Sequence, residues 1–437
     1  MRCPDARITA VVGLNWGDEG KGRIVDNLAA EADVVVRYHG GANAGHTICT
    51  DQGTFSLHTL PSGVFRPGVI NIVGPGMAVD IDSFLDEVML AAGHGTDPGS
   101  ILLSDAASIC FPFHRTLDEL EEARLGGGAY GSTRRGISPG YGDRVMKKTL
   151  LVRELLDGAS LHERLGGAIE WANERLTKIY HADPVKLPEL TDWALRMGRQ
   201  LEPHVVNAST VLTACYESGS SIIAEGQLGA LRDLYYGIYP YTTSSNCLAG
   251  YAPVGMGLPW ARVDQVVGVT KAFASCVGSG PFVTEFEPNQ ADRLRRRWQE
   301  YGATTGRPRR LGAFDAVATR YGVRLQGADE IALTNLDQLS GIGELQVCVG
   351  YRLAGHAIRQ FPVSPTELER CQPSYQTFEG WDADLGSVRC YHQLPAEARA
   401  YVEGIEECLE VPVRYLSVGP HRAALIDRYQ AAELRPC

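Results

Sequence analysis

No stretch of this 437-residue chain approaches the run of about 18 apolar residues that a membrane span requires. The N-terminal segment carries Asp5 early, and its short apolar stretch breaks into glycine and acidic residues, which is not the pattern of a signal peptide. CxxC pairs and Cys/His clusters with zinc spacing are absent, although eleven cysteines are scattered from Cys3 to Cys437. Neither a disulfide framework nor a structural metal is therefore expected, and the thiols read as reduced and the protein as cytoplasmic. Positive charge is short: Lys plus Arg is 41 against 52 for Asp plus Glu, a formal charge of −11. That balance argues against a non-specific nucleic-acid or anionic-membrane binder, while leaving room for a local basic pocket for phosphates. Internal repeats, low-complexity tracts and obvious linkers are missing too. What is present is ordinary globular composition, 44% apolar and 21% charged. One large domain over 1–437 with insertions is the preferred organisation.

Short apolar, β-branched runs recur at Ile8–Leu14, Val34–Tyr38, Val69–Val73, Ile101–Leu103, Ile222–Ala224, Val263–Val269, Ile331–Leu333 and Val413–Leu416. They read as buried strands. Helical patterns lie between them, as over Ser83–Ala92 and His114–Arg124. The stretch from about 151 to 216 reads as a mainly helical insertion, interrupted near Pro184 and Pro188. Strands alternating with helices predict an α/β fold with a large, mostly parallel central sheet flanked by helices. Glycine-rich loops follow several of the strands, and ligands in such sheets bind beyond the carboxyl ends of strands.

Four segments carry chemistry. Gly17-Asp18-Glu19-Gly20-Lys21-Gly22 follows the first strand and opens a helix at Arg23. Its glycines let backbone amides approach phosphate, a helix N-terminus adds positive potential, and Lys21 can reach phosphate oxygens. Gly22 stands where a Walker A loop has a Ser or Thr metal ligand, so Asp18 becomes the candidate to hold Mg²⁺. Gly40-Gly41-Ala42-Asn43-Ala44-Gly45-His46-Thr47 places a histidine among small neighbours that leave its ring free for a ligand. Gly302 to Arg310 brings two hydroxyls and three guanidiniums together, suited to capture of carboxylate or phosphate. The nearby Arg293, Arg295, Arg296 and Arg297 read instead as a solvated helix face. Thr334-Asn335-Leu336-Asp337 ends a strand with an acid able to accept from the N1 and N2 hydrogens of guanine.

These segments together resemble the adenylosuccinate synthetase family, GTP-dependent ligases that join IMP to L-aspartate. The likeness runs from WGDEGKG at 16–22 through NAGHT at 43–47, LHTLPSG at 57–63, YPYTTSSN at 239–246, GATTGRPRR at 302–310 and Gly380-Trp381 to VGP at 418–420. The resemblance implies a P-loop-related fold and a 6-phosphoryl intermediate on the acceptor purine. It implies that Asp18 removes the N1 proton, that His46 stabilises charge as general acid, and that Mg²⁺ is held by Asp18 and the backbone of Gly45. GTP would meet Gly17, Asp18, Glu19, Gly20, Lys21, Gly45, His46 and Thr47. Its guanine would sit against Asn335, Leu336 and Asp337, with Gly419 and Pro420 closing over it. The acceptor nucleotide would meet Asn43, Thr133, Leu228, Thr243 and Arg307, and L-aspartate would meet Thr304, Thr305, Arg307 and Arg309. The family is homodimeric, and Lys147 occupies the position from which a partner subunit completes the acceptor's phosphate site.

Several positions depart from the family's pattern. Glu225-Gly226-Gln227-Leu228-Gly229 stands for EGAQG, so the glutamine that touches the base falls on Leu228, with Gln227 next to it. Arg134 replaces a glycine beside Thr133, Lys147 replaces an arginine, Asn335 replaces a lysine, and Cys276 and His421 replace an arginine and an aspartate. The changes gather around the acceptor base and monophosphate. They make an IMP-like nucleotide of a specialised nucleoside pathway the alternative acceptor. Two rivals differ in class. A regulatory GTPase predicts Ser or Thr after Lys21 and leaves Thr304–Arg310 without a role. A catalytically silent nucleotide-binding homologue sits poorly with retention of both Asp18 and His46.

Overall fold

Ten strands assemble into one central sheet in the computed structural model of the chain, which describes residues 5–302 and 306–429. In chain order they are β1 (Arg7–Gly13), β2 (Val34–Arg37), β3 (Ile70–Val73), β4 (Ile101–Ser104) and β5 (Val205–Val206). The second half supplies β6 (Ser221–Gly229), β7 (Gln265–Lys271), β8 (Glu330–Thr334), β9 (Val413–Ser417) and β10 (Leu425–Asp427). Across the sheet the order is β10-β9-β8-β7-β1-β6-β2-β3-β4-β5. Neighbours run parallel throughout except at the antiparallel β9–β10 edge.

Each of the eight apolar runs is a strand of this sheet, and the α/β class holds. The central strand shows why. Ile8, Ala10, Val11 and Val12 of β1 are all fully buried, so both faces are covered and no polar alternation remains. Removing each such Val or Ile from water is worth about 1.5–3 kcal/mol, which sets the centre of the core here.

Helix α1 (Lys21–Leu28) follows β1 and begins two residues before the expected Arg23. The stretch 151–216 is mostly helical, with helices at Leu161–Glu174, Leu187–Leu201 and Ala208–Glu217, but it also contributes the edge strand β5. Leu165, Ile169, Leu190 and Leu201 from its first two helices pack in one cluster with Ile48, Phe84 and Leu103. The arginine run lies on the helix Pro288–Trp298, which buries Ala291, Leu294 and Trp298 and exposes Arg293, Arg296 and Arg297. Arg295 departs from that face and donates to the Arg309 carbonyl at 2.7 Å.

Eight of the described cysteines are free thiols. No helix among the described residues is long and apolar enough to cross a membrane.

Candidate active site

Beyond the carboxyl end of β1 the backbone turns through Gly17 at φ 101°, Asp18 at φ 60° and Gly20 at φ 87° before entering α1. Aspartate is one of the few side chains that tolerate this left-handed geometry, so Asp18 can occupy the turn between two glycines. Glu19 points inward. It accepts from the amides of Asn15 (3.1 Å) and Gly17 (2.8 Å) and from Lys21 Nζ (2.5 Å), bracing the loop. At Gly22 a Cβ would stand 3.0 Å from the Cβ of His46. The glycine in place of a hydroxyl residue therefore lets His46 close onto the helix.

His46 Nδ1 faces Glu225 Oε1 on β6, and that carboxylate also accepts from the Ser62 amide (2.7 Å) and hydroxyl (2.6 Å). Burial, reinforced by Arg37, holds the imidazole pKa below its ordinary value, with Glu225 opposing. The ring is neutral near pH 7 and directs its other nitrogen away from Glu225. Arg37 is itself fully buried behind this pair, donating to the carbonyls of His58 (2.5 Å) and Leu60 (3.4 Å).

Asp18 heads a chain of charges that runs from partly buried to buried. Its Oδ2 accepts from Arg309 Nε at 2.9 Å, Arg309 Nη1 donates to Glu300 at 2.7 Å, and Lys271 Nζ donates to both Glu300 oxygens at 2.7 Å. Burial pushes the Asp18 carboxyl up, but Arg309, Lys271 and Lys21 outweigh it and leave the pKa below the ordinary value. The group is ionised at neutral pH. Glu300 is likewise held low: burial raises it, and the two cations it clamps more than offset that.

Two cavities meet at this point. The smaller, of about 180 Å³, is lined by Asp18, Gly20, Lys21, Gly45, His46, Thr47, Asn335 and Pro420 among others. The larger, of about 560 Å³, is lined by Gly17, Asp18, Asn43, Thr133, Leu228, Thr243 and Arg307 among others. Asp18, Ala44, Gly45 and Leu228 border both. The N-terminus of α1 opens into the smaller cavity, where its unpaired amides favour an anion.

Most of the expected residues are thus brought together, and the exceptions are specific. Glu19 is a brace, and Leu336 is fully buried in the core, so neither lines either of these two cavities. Asp337 is half-buried near Arg23, whose guanidinium borders the smaller cavity and donates to Ser417 close to Gly419. Burial raises the Asp337 carboxyl, with Arg23 opposing. Arg309 faces the smaller cavity and Asp18, while Arg307 faces the larger one and donates to the Gly131 carbonyl at 3.0 Å. Lys147 is exposed at φ 61° and borders neither cavity. Thr304 and Thr305 lie outside the described residues.

Gln227 does not take the place of a base-reading glutamine at 228. Its Nε2 donates to the Gly41 carbonyl and to Asn43 Oδ1, both at 2.9 Å, and its Oε1 accepts from the Gly41 amide at 2.9 Å. The side chain is spent on holding the 40–43 loop. Three side chains that brace the expected site residues escaped the motif reading, Glu225, Lys271 and Glu300, and Gln227 was singled out only as the neighbour of position 228. Glu225 and Gln227 lie within a segment that was noticed, but their partners are 163 to 186 residues away in the chain, so spacing carried no signal.

Among the described residues there is no group of three or more His, Cys, Asp or Glu able to hold a metal by itself. A hard cation here would take Asp18 and complete its shell with ligand oxygens and water, which is how magnesium is usually held.

Comparison with known proteins places the whole chain in one family. The family model described as adenylosuccinate synthetase matches residues 10–426. An adenylosuccinate synthetase 2 of Pseudoalteromonas translucida is 46% identical over 420 residues, 96% of this chain and 99% of that one. An adenylosuccinate synthetase of Halothermothrix orenii is 44% identical over 418 residues, 96% of this chain and 98% of that one. The solved structure of a fully ligated adenylosuccinate synthetase from Plasmodium falciparum superposes with a TM-score of 0.92 at 31% identity, covering 97% of this chain and all of that one.

Proposed function

The chain belongs to the adenylosuccinate synthetase family, and from that premise we propose that it uses GTP to condense L-aspartate with the 6-oxo position of a purine nucleotide. The products are the succinyl-amino nucleotide, GDP and phosphate. The observation that carries this reading is the shared wall. Asp18 is ionised and borders both a phosphate-sized cavity holding Lys21 and His46 and a larger one fit for a second nucleotide. A carboxylate there can take the N1 proton of a 6-oxopurine while the purine oxygen faces the γ-phosphate, a role worth roughly 10²–10⁴ in rate.

His46 fits the stabiliser of the transferred group. With Glu225 on one side and an arriving phosphate on the other, negative charge brackets the ring and favours imidazolium, offsetting the burial that keeps it neutral when no ligand is bound. Lys21 and the α1 amides would hold the β- and γ-phosphates. Asn335 and Asp337 would hold guanine, with Gly419 and Pro420 beside it. Asn43, Thr133 and Thr243 would hold the acceptor, and Thr304, Thr305, Arg307 and Arg309 the amino acid. Asp18 and the Gly45 backbone would hold Mg²⁺, which when bound offsets charge on the phosphoryl oxygens.

Dimerisation fits one surface feature. Val145 and Met146, 79% and 48% exposed, immediately precede Lys147, so a partner covering them would also bring its lysine toward a neighbouring cavity. A cytoplasmic location accords with the family.

IMP is the acceptor this reading favours. A second acceptor class, an IMP-like nucleotide, is supported by Leu228, which borders the larger cavity without hydrogen-bonding capacity while Gln227 is engaged elsewhere. Steady-state kinetics with GTP, L-aspartate and a panel of 6-oxopurine 5′-monophosphates tests both. Efficient turnover of IMP excludes the analogue reading. Phosphate release and product formation with none of the panel overturns the ligase assignment in favour of a silent homologue.

A further inference from the structure

Arg232 ends the short turn Ala230–Arg232 that follows β6, and only 8% of it is exposed, in the wall of the larger cavity. Burying a guanidinium is costly unless its donors find partners. The partners here are main-chain carbonyls and one thiol. Nη1 donates to the Tyr241 carbonyl and, at 3.4 Å, to that of Ser279. Nη2 donates to the Val277 carbonyl at 2.7 Å and to Cys276 Sγ at 3.1 Å.

These partners belong to two loops, 241–243 and 277–279, and both loops line the larger cavity. The loops touch: Gly280 runs so close to the Tyr241 ring that a Cβ there would stand 2.8 Å from it. Among the described residues, however, no hydrogen bond joins one loop directly to the other, and the Arg232 fork makes the link. The main chain of the same residue adds a third hold, its carbonyl accepting from the Thr243 amide at 2.8 Å. Thr243 is one of the side chains expected to meet the acceptor.

Position 276 belongs to the same cluster. Cys276 stands where the family's pattern has an arginine, and its sulfur lies against the Arg232 guanidinium. A guanidinium is missing from one side of this junction, and another reaches it from the opposite side.

We propose that Arg232 is a positioning residue of the acceptor site, its fork clamping the 241–243 and 277–279 loops so that the wall is set before the acceptor nucleotide arrives, in place of a guanidinium at 276. The inference rests on the ligase reading above for what the cavity holds. A wall that its ligand must first order subtracts the cost of ordering from affinity. The residue type matters because two nitrogens on one rigid plane reach two loops at once, whereas a lysine ammonium is a point donor on a flexible stem.

The test compares wild type with R232M, R232K and the double variant R232M/C276R. It reads KM for GTP, KM for the acceptor, and the acceptor's Kd by calorimetry without GTP. The acceptor is the tightest-bound member of a panel of 6-oxopurine 5′-monophosphates that includes IMP. Thermal melting checks folding, and R232K carries the test if R232M does not fold. Both single variants should raise the acceptor's KM and Kd about tenfold or more and leave the KM for GTP within about twofold, and the double variant should recover most of the loss. An unchanged acceptor Kd in R232M, or wild-type behaviour of R232K, overturns the clamp. Equal rises for acceptor and GTP overturn it too, since they mark a general structural role. A folded double variant that binds the acceptor no better than R232M overturns the exchange with 276. If wild type binds monophosphates but ligates none, the ligase reading fails separately, and the Kd values still decide the role of Arg232. If it binds none of them, the larger cavity is no acceptor site and the proposal falls.

Discussion

Replacing Asp18 by asparagine removes the proposed base while leaving nearly everything around it in place. Asparagine tolerates φ near 60° as well as aspartate does, so the turn between Gly17 and Gly20 need not move. Its amide oxygen can still accept from Arg309 Nε, which meets Asp18 at 2.9 Å, and Glu300 still holds Arg309 Nη1 at 2.7 Å. Lys21 remains braced by Glu19, and the α1 amides are untouched. What is lost is the ability to take a proton, worth up to about 10⁴ in rate, or roughly 5.5 kcal/mol of barrier, together with the anionic ligand that Asp18 would offer Mg²⁺. One charged hydrogen bond is lost as well, which limits the stability change to about 3 kcal/mol. Asp18→Asn should therefore lower kcat by about four orders of magnitude, while the dissociation constant for GTP measured without magnesium stays within about threefold and the variant melts cooperatively. Product formation by absorbance and binding of a fluorescent GTP analogue measure the two quantities. A variant that retained a tenth of the wild-type kcat would refute proton abstraction by Asp18. One that lost GTP binding and catalysis together would show the carboxylate to be a binding element instead.

Three further outcomes are expected. Burial first, then Arg37, holds the imidazoles of His39 and His46 below their ordinary pKa, and burial does the same to His114. The unfolded chain therefore binds protons near pH 6.5 that the native one refuses, so stability should fall as pH drops below about 6.5. Asp315, pushed up to about 6 by burial, acts oppositely, but only below that value. Denaturant titrations from pH 6 to 7.5 should show stability rising with pH, and a flat curve would contradict native burial of neutral histidines. Asp337→Asn removes a charged acceptor for guanine and should raise the KM for GTP about 10- to 150-fold, the equivalent of 1.5–3 kcal/mol. Xanthosine triphosphate, with a carbonyl in place of the amino group, should recover part of the loss; an unchanged KM for GTP would remove Asp337 from base recognition. Gln227→Ala deletes three hydrogen bonds to Gly41 and Asn43. It should raise the KM for the acceptor about tenfold with the KM for GTP unmoved, given about 1 kcal/mol or less per neutral bond. Equal rises in both would mean a general loss of structure.

The central sheet could be read from sequence because its strands are buried on both faces, so each appears as an unbroken apolar run. β5 and β10 could not, for a physical reason: two and three residues are too few to show a period, and their pairing is decided by what the rest of the sheet leaves open. Helix starts were displaced for a similar reason. α1 begins at Lys21 because Gly20 supplies the left-handed cap, whereas apolar periodicity first becomes visible further on.

The site divides along that same line. Asp18, Lys21 and His46 announced themselves because the loops that present them are local, with glycines spaced to turn the backbone. The groups that set their chemical state are remote. Glu225 reaches His46 across 179 residues, and Arg309 reaches Asp18 across 291. Motif reading named Arg309 as a partner for the amino-acid carboxylate, and in the folded chain that guanidinium also holds the proposed base below its ordinary pKa. A base kept acidic is reliably ionised but weakly basic, and Brønsted behaviour penalises it. An arginine shared between the proposed base and a substrate carboxylate would change that balance when the substrate arrives, because a second anion on Arg309 would dilute its hold on Asp18 and raise the basicity of the carboxylate. Coupling of that kind needs one cation within reach of two anions from different parts of the chain and the ligand. It is therefore a property of the assembled geometry, and no single segment of the sequence contains it.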